Sequence, residues 1–151
     1  MWLPDDIDSV LPHKDSMRLI DRVVAWGPEF IAVEVDVPVS GLFSTADGVP
    51  AWVGVEYMAQ AIAAWAGCRA RQEGRDPSIG FLLGTRRYTA HLPAFAAGSC
   101  LRVEANCELM GENGLGMFAC RILAGDEELA VANVSVYEPL DAMAYLETGE
   151  V

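Results

Sequence analysis

The chain has 151 residues, 52% of them hydrophobic and 21% charged, and a formal net charge of −12. A chain of this length forms one domain that buries about 68–70% of its unfolded surface, so disorder is excluded, and the acidic balance excludes nucleic acid, whose phosphates require a basic face. The longest charge-free run, 88–101, has 14 residues and is interrupted by His91, Pro93 and Gly98, whereas crossing a bilayer takes about 20. The N-terminus, MWLPDDIDSV, carries acids where a secretory leader is basic, so the expected location is cytoplasmic. Cys68, Cys100, Cys107 and Cys120 lack C-x-x-C spacing and only two histidines accompany them. No metal site is expected, and the thiols read as reduced ones of a cytosolic domain.

In chain order, Asp5 to Val10 reads as a short capped helix leading into Leu11-Pro12-His13. Residues 17–26 (MRLIDRVVAW) are strand-like and end at the turn signal Gly27-Pro28. Residues 30–37 alternate, with Ile31, Val33, Val35 and Val37 on one side, which predicts a half-buried strand hairpinned to the first. A loop over 40–48 precedes Pro50, a residue suited to the first turn of a helix. From Ala51 to Glu73 the text is helical, and its only charge before Arg69 is Glu56. A helix apolar on nearly every face is buried on nearly every face, and its small residues, Gly54, Ala61, Ala64 and Gly67, permit close approach of other backbone. Four strands follow, over 79–91 (bent near Gly84), 101–109, 116–124 and 129–137. Two strands, one buried helix and an antiparallel meander make an α+β domain in which one sheet wraps the helix.

Glu56 carries the strongest chemical signal. A carboxylate taken out of water costs several kcal/mol unless it is paired, hydrogen-bonded or neutralised, and a carboxyl kept protonated in an apolar pocket is a general acid. Gln60 lies at i+4 on the same face. The alternative is a Glu56 at a helix edge, solvated or salt-bridged. The helix start near Pro50 and Ala51 offers N–H groups and a positive dipole end, as every helix does. Arg86 and Arg87 are adjacent in a chain poor in bases. They read either as solubilising ion pairs or as an anion site. Gly111, Gly114 and Gly116 lie in a turn between strands rather than in a phosphate loop, and no cofactor is expected.

Several segments together resemble the hot-dog 3-hydroxyacyl-acyl-carrier-protein dehydratases. They are LPHKDSMRLIDRV (11–23), GVPAWVGVEYMAQAIAAWAG (48–67) and GFLLGTRRYTAHLPAFAAGSCLRVEA (80–105). The similarity is strongest to the divergent branch associated with aryl polyene biosynthesis. It implies a hot-dog fold, a dimer with sites at the interface and a tunnel for a phosphopantetheine-tethered acyl chain. It also implies syn elimination of water by a histidine base and a helix carboxylate, with a backbone N–H polarising the thioester carbonyl. Glu56 matches the carboxylate, the Ala51 N–H matches the carbonyl donor, and Gln60, Arg86 and Arg87 are candidates for contact with substrate or acyl carrier protein. The family's histidine, however, lies fourteen residues before the carboxylate, where this chain has Leu42. Three explanations stand. His13 serves as base; a histidine-bearing hot-dog dehydratase partner supplies the base in a hetero-oligomer; or the chain is a non-catalytic stabilising subunit. The hetero-oligomer is the expectation, with a homodimer as the alternative. A hot-dog thioesterase, in which Glu56 activates water without a histidine, is the second enzyme class.

Overall fold

The alternation of Ile31, Val33 and Val35, all fully buried, sets the inner face of the sheet. In the computed structural model, which describes residues 2–12, 17–76 and 81–137, these residues lie on β2 (Phe30–Asp36), hairpinned to β1 (Arg22–Gly27). A two-residue strand β3 (Val49–Pro50) leads into a 3-10 turn, Ala51–Val53, which runs on as helix α1 (Gly54–Gln72). After it come β4 (Phe81–Ala90), the two-residue β5 (Ala94–Phe95), β6 (Cys100–Met110), β7 (Leu115–Ala124) and β8 (Glu127–Tyr137). The large sheet is antiparallel throughout, in the order β1-β2-β6-β7-β8-β4, while β3 pairs with β5. Helix α1 contacts all six strands of the large sheet. This is the α+β hot-dog arrangement. No helix among the described residues is long and apolar enough to cross a membrane.

Helix α1 is covered on its second side by the N-terminal segment. Asp6 caps the 3-10 turn Ile7–Ser9 through the Asp8 N–H at 3.0 Å, and Ile7, Val10 and Leu11 are buried in the core. At Gly67 the helix lies directly on the Val10 backbone: a Cβ there would stand 1.9 Å from the Val10 carbonyl oxygen. The small residues of the helix therefore do allow close backbone approach, and at this point the approach is within the chain.

Two local expectations are corrected. The first strand begins at Arg22 rather than at residue 17, because the Leu19 N–H and the Met17 carbonyl are hydrogen-bonded by the Gln60 side chain instead of a neighbouring strand. The strict alternation of Leu101, Val103, Ala105, Cys107 and Leu109 along 101–109 predicts an inward Leu109, yet Leu109 is 55% exposed, because the ladder between β6 and β7 slips between Cys107 and Leu109. The bend expected near Gly84 coincides with a slip between Leu82 and Gly84, and β4 carries a second one between Arg86 and Thr89. The short β3–β5 pair was not foreseen, since two-residue strands leave no period to read.

Candidate active site

Gln60 has no exposed surface, and both ends of its amide are used. Its Oε1 accepts the Leu19 N–H at 2.8 Å, and its Nε2 donates to the Met17 carbonyl at 2.7 Å and to Glu56 Oε1 at 3.1 Å. A buried amide with all groups satisfied is rigid and rigidifying. Gln60 is therefore placed to hold Glu56 and the 17–19 segment together rather than to touch substrate itself. Glu56, one turn earlier, is half-buried, so it is neither a freely solvated edge residue nor sealed inside the chain.

The surface beside the helix start is unusually apolar. Trp52 lies a turn before Glu56 on the same face and is 64% exposed, as is Leu42, and Val39 and Met17 are also exposed. Phe43 meets the Trp52 ring edge-on, with centroids 5.6 Å apart, tying the 40–48 loop to the helix start. Exposed apolar groups of this size, gathered in one region, mark a surface made to be covered. Leu42 and Phe43 also line a cavity of about 270 Å³ with Arg18, Asp21, Val49 and Tyr57. Burial pushes the Tyr57 phenol up to about 12, with the Asp21 charge adding to it.

The start of the helix is fixed from two sides. The Ala51 N–H, expected to face a thioester carbonyl, is donated to the Pro93 carbonyl at 3.0 Å. The Tyr88 hydroxyl donates to the Ala51 carbonyl at 2.5 Å. Gly54 makes room for that hydroxyl, since a Cβ there would stand 2.2 Å from it. Gly54 was read from the sequence as a site of close approach, but Tyr88, the group that approaches it, was not singled out. The readable signal was an uncapped glycine early in an apolar helix, a position that usually means close packing.

Arg86 and Arg87 do not join this group. Both are exposed on β4, an edge of the sheet. Arg86 pairs across the ladder with Asn133, and Arg87 lines a groove of about 450 Å³ with Thr89, Asn106, Arg121 and Asn133. Asn106 and Asn133 are exposed while Ala105 and Val134 belong to the core, so this groove is on the side of the sheet away from α1. His13 lies outside the described residues. Among the described residues no group of three metal-ligating side chains is assembled. All four cysteines are free thiols, and burial pushes Cys68 and Cys120 up to about 12.

Comparisons with known proteins agree with this layout. The chain is 29% identical to a chain of the dehydratase heterocomplex ApeI:P from Xenorhabdus doucetiae, with a TM-score of 0.87 over 97% of this chain and 98% of that one. The fold alone is shared with the uncharacterized protein PH1136 from Pyrococcus horikoshii (11% identity, TM-score 0.66, 95% and 99% covered). It is shared likewise with a hypothetical thioesterase solved with coenzyme A from Streptococcus pneumoniae (12%, 0.60, 78% and 84%). No curated protein sequence matches. The family profile described as ApeP-like, ApeP dehydratase, matches residues 5–147, nearly the whole chain, and the chain therefore belongs to the ApeP-like dehydratase family.

Proposed function

We propose that this chain is one subunit of a hetero-oligomeric dehydratase that converts 3-hydroxyacyl thioesters on acyl carrier protein to 2-enoyl thioesters. The observation that carries the reading is Glu56, held by a buried Gln60 at 3.1 Å at the margin of an exposed apolar surface, with leucine at position 42 where a base is needed. Elimination requires a base for the α-proton and an acid for the leaving oxygen. The electron pair of the α-C–H bond forms the double bond, the β-C–O bond breaks, and Glu56 gives its proton to the departing hydroxyl, which leaves as water. Leucine accepts no proton, so the base is a histidine of a second hot-dog dehydratase that covers the Trp52–Leu42 surface. The heterocomplex state of the Xenorhabdus doucetiae relative supports this arrangement. Because Ala51 N–H is already donated to Pro93, the thioester carbonyl is met by the next N–H of the turn, that of Trp52.

The test is to purify the chain with its native partner and supply a 3-hydroxyacyl carrier protein. The assembly is expected to release the 2-enoyl thioester, and Glu56→Gln to slow it about a hundredfold or more. Release of free thiol assigns the thioesterase reaction instead. Unchanged turnover in the Glu56→Gln assembly makes the chain a stabilising subunit. Full activity of a homodimer transfers the base to His13. In the same assay, Arg86→Glu with Arg87→Glu separates the two readings of the arginines. Carrier docking predicts a larger loss with carrier-bound substrate than with a small free thioester, because an acidic chain repels an acidic carrier except at a local basic patch. Equal losses make the arginines structural.

A further inference from the structure

Tyr88 is placed by an irregularity in its strand. Arg87, immediately before it, has φ 56°, the one non-glycine residue with a positive φ among the described residues. Between Arg86 and Thr89 the ladder with β8 advances three residues on β4 against two on its partner, from Asn133 to Val131. The extra residue is a β-bulge, which re-aims the side chains around it. Arg86 and Arg87 both remain exposed, and Tyr88 turns inward to pack against the core. A left-handed conformation is unfavourable for a non-glycine residue and persists where the surroundings hold it. The result here is that one phenol reaches the start of α1.

Its target is specific. The Tyr88 hydroxyl donates to the Ala51 carbonyl, in the space that Gly54 leaves by having no side chain. Burial holds the phenol up to about 12, so at neutral pH it remains an O–H donor. The Ala51 carbonyl and the Trp52 N–H are the two ends of one peptide unit, and a hydrogen bond accepted at one end strengthens donation at the other. Pro50 supplies no side-chain cap to this turn, and Glu56 projects from the same helix one turn after Trp52. The Ala51 carbonyl also accepts the Gly54 N–H of the turn, so the hydroxyl is a second hold on the peptide that carries the Trp52 N–H, at the start of the helix from which Glu56 projects.

We propose that Tyr88 is a positioning residue for the Glu56 site, acting through the Ala51–Trp52 peptide. The inference rests on the dehydratase reading above and adds a group to it. The test uses the co-purified assembly with carrier-bound substrate. Tyr88→Phe keeps the ring and removes the donor. The expected result is a fall in kcat of about tenfold or more, since small misplacements at reacting atoms are amplified in rate, with KM changed less than about twofold. The Trp52 amide proton should also move upfield in a ¹⁵N–¹H spectrum. Should the Phe variant fold poorly, replacing Tyr88 with 3-fluoro- and 3,5-difluorotyrosine preserves the shape and strengthens the donor, and both kcat and the Trp52 amide shift are then expected to follow phenol acidity. An unchanged kcat in Tyr88→Phe, or fluorinated variants whose kcat and Trp52 shift ignore phenol acidity, overturns the proposal. If Glu56→Gln abolishes turnover while the Tyr88 variants are silent, Tyr88 is structural and the dehydratase reading stands. If Glu56→Gln is itself active, the reading beneath the proposal fails first.

Discussion

The two ends of helix α1 are built on different principles. At its far end the helix is held by close packing and by ring N–H and guanidinium bonds to backbone carbonyls. Gly67 lies on the Val10 backbone, Trp65 meets Phe118 edge-on at 5.3 Å and donates its ring N–H to the Gly27 carbonyl at 2.9 Å, and Arg69 lies over the Trp65 ring at 4.6 Å. Arg71 then donates to the Ser9 carbonyl at 2.8 Å. At its start the helix is held by Tyr88, Pro93 and the Gln60 amide, and large apolar side chains beside it remain in water. The far end is packed and hydrogen-bonded against backbone of this same chain. The start is ordered as if to receive something, with its polar groups fixed and its apolar surface uncovered.

Substituting the same residue at the two ends tests this contrast most strongly. A methyl group at Gly67 meets backbone, with Val10 oxygen, carbon and Cα all within 2.9 Å. Neither the helix nor the N-terminal segment can give way cheaply, so Gly67→Ala is expected to cost about 3 kcal/mol or more. Thermal unfolding should show a drop of many degrees, while the folded fraction retains its turnover per site. A methyl at Gly54 meets first the end of the Tyr88 side chain, then Ile122 Cδ1 at 3.0 Å and Phe95 Cζ at 3.1 Å. The phenol can swing aside, and alanine itself favours the helix over glycine by about 1 kcal/mol. Gly54→Ala is therefore expected to cost only about 1–2 kcal/mol in net stability yet to lower kcat as Tyr88→Phe does. If Gly67→Ala were mild and Gly54→Ala severe in denaturant titrations, the contrast between the ends would be wrong.

A smaller effect belongs to neither end. On the sheet face away from α1, Glu104 is buried between Arg102 and Arg121, whose Nε atoms reach its two oxygens at 2.7 and 2.6 Å. Burial pushes its carboxyl up, but the two guanidinium bonds outweigh burial and hold it below the usual glutamate range. A folded-state pKa below the unfolded one contributes stability that is complete above the unfolded value, about 4.3, and that is lost as pH falls through the folded value. Glu104→Gln should remove about 1 kcal/mol at neutral pH and flatten the acid limb of a stability profile below about pH 4–5. An acid limb that keeps its slope in Glu104→Gln would place the acid sensitivity elsewhere, the helix start included.

Much of this was legible because period and composition are local properties. The alternation over 30–37, that of 101–109 as far as Ala105, the turn at Gly27-Pro28 and the apolar helix after Pro50 survive in the structure. Glu56 stood out because it is the only charge before Arg69 in that helix. Gln60 was read as a contact to substrate because spacing shows that two residues share a helix face but not which one is sealed. Its amide is spent on Met17 and Leu19, some forty residues earlier, a distance no periodicity spans.

The sequence by itself determined the α+β layout, the buried helix and the family, and it singled out Glu56, since each rests on spacing within one segment or on a run of matched residues. Only the tertiary structure decided what each polar group faces. It tied the Ala51 N–H to Pro93, brought Tyr88 through a bulge to the first peptide of the helix, and set Arg87 in a groove on the opposite face of the sheet. The physical reason is that a hydrogen bond is settled within about 3 Å and a narrow cone of angles, and those are fixed by strands meeting from distant parts of the chain.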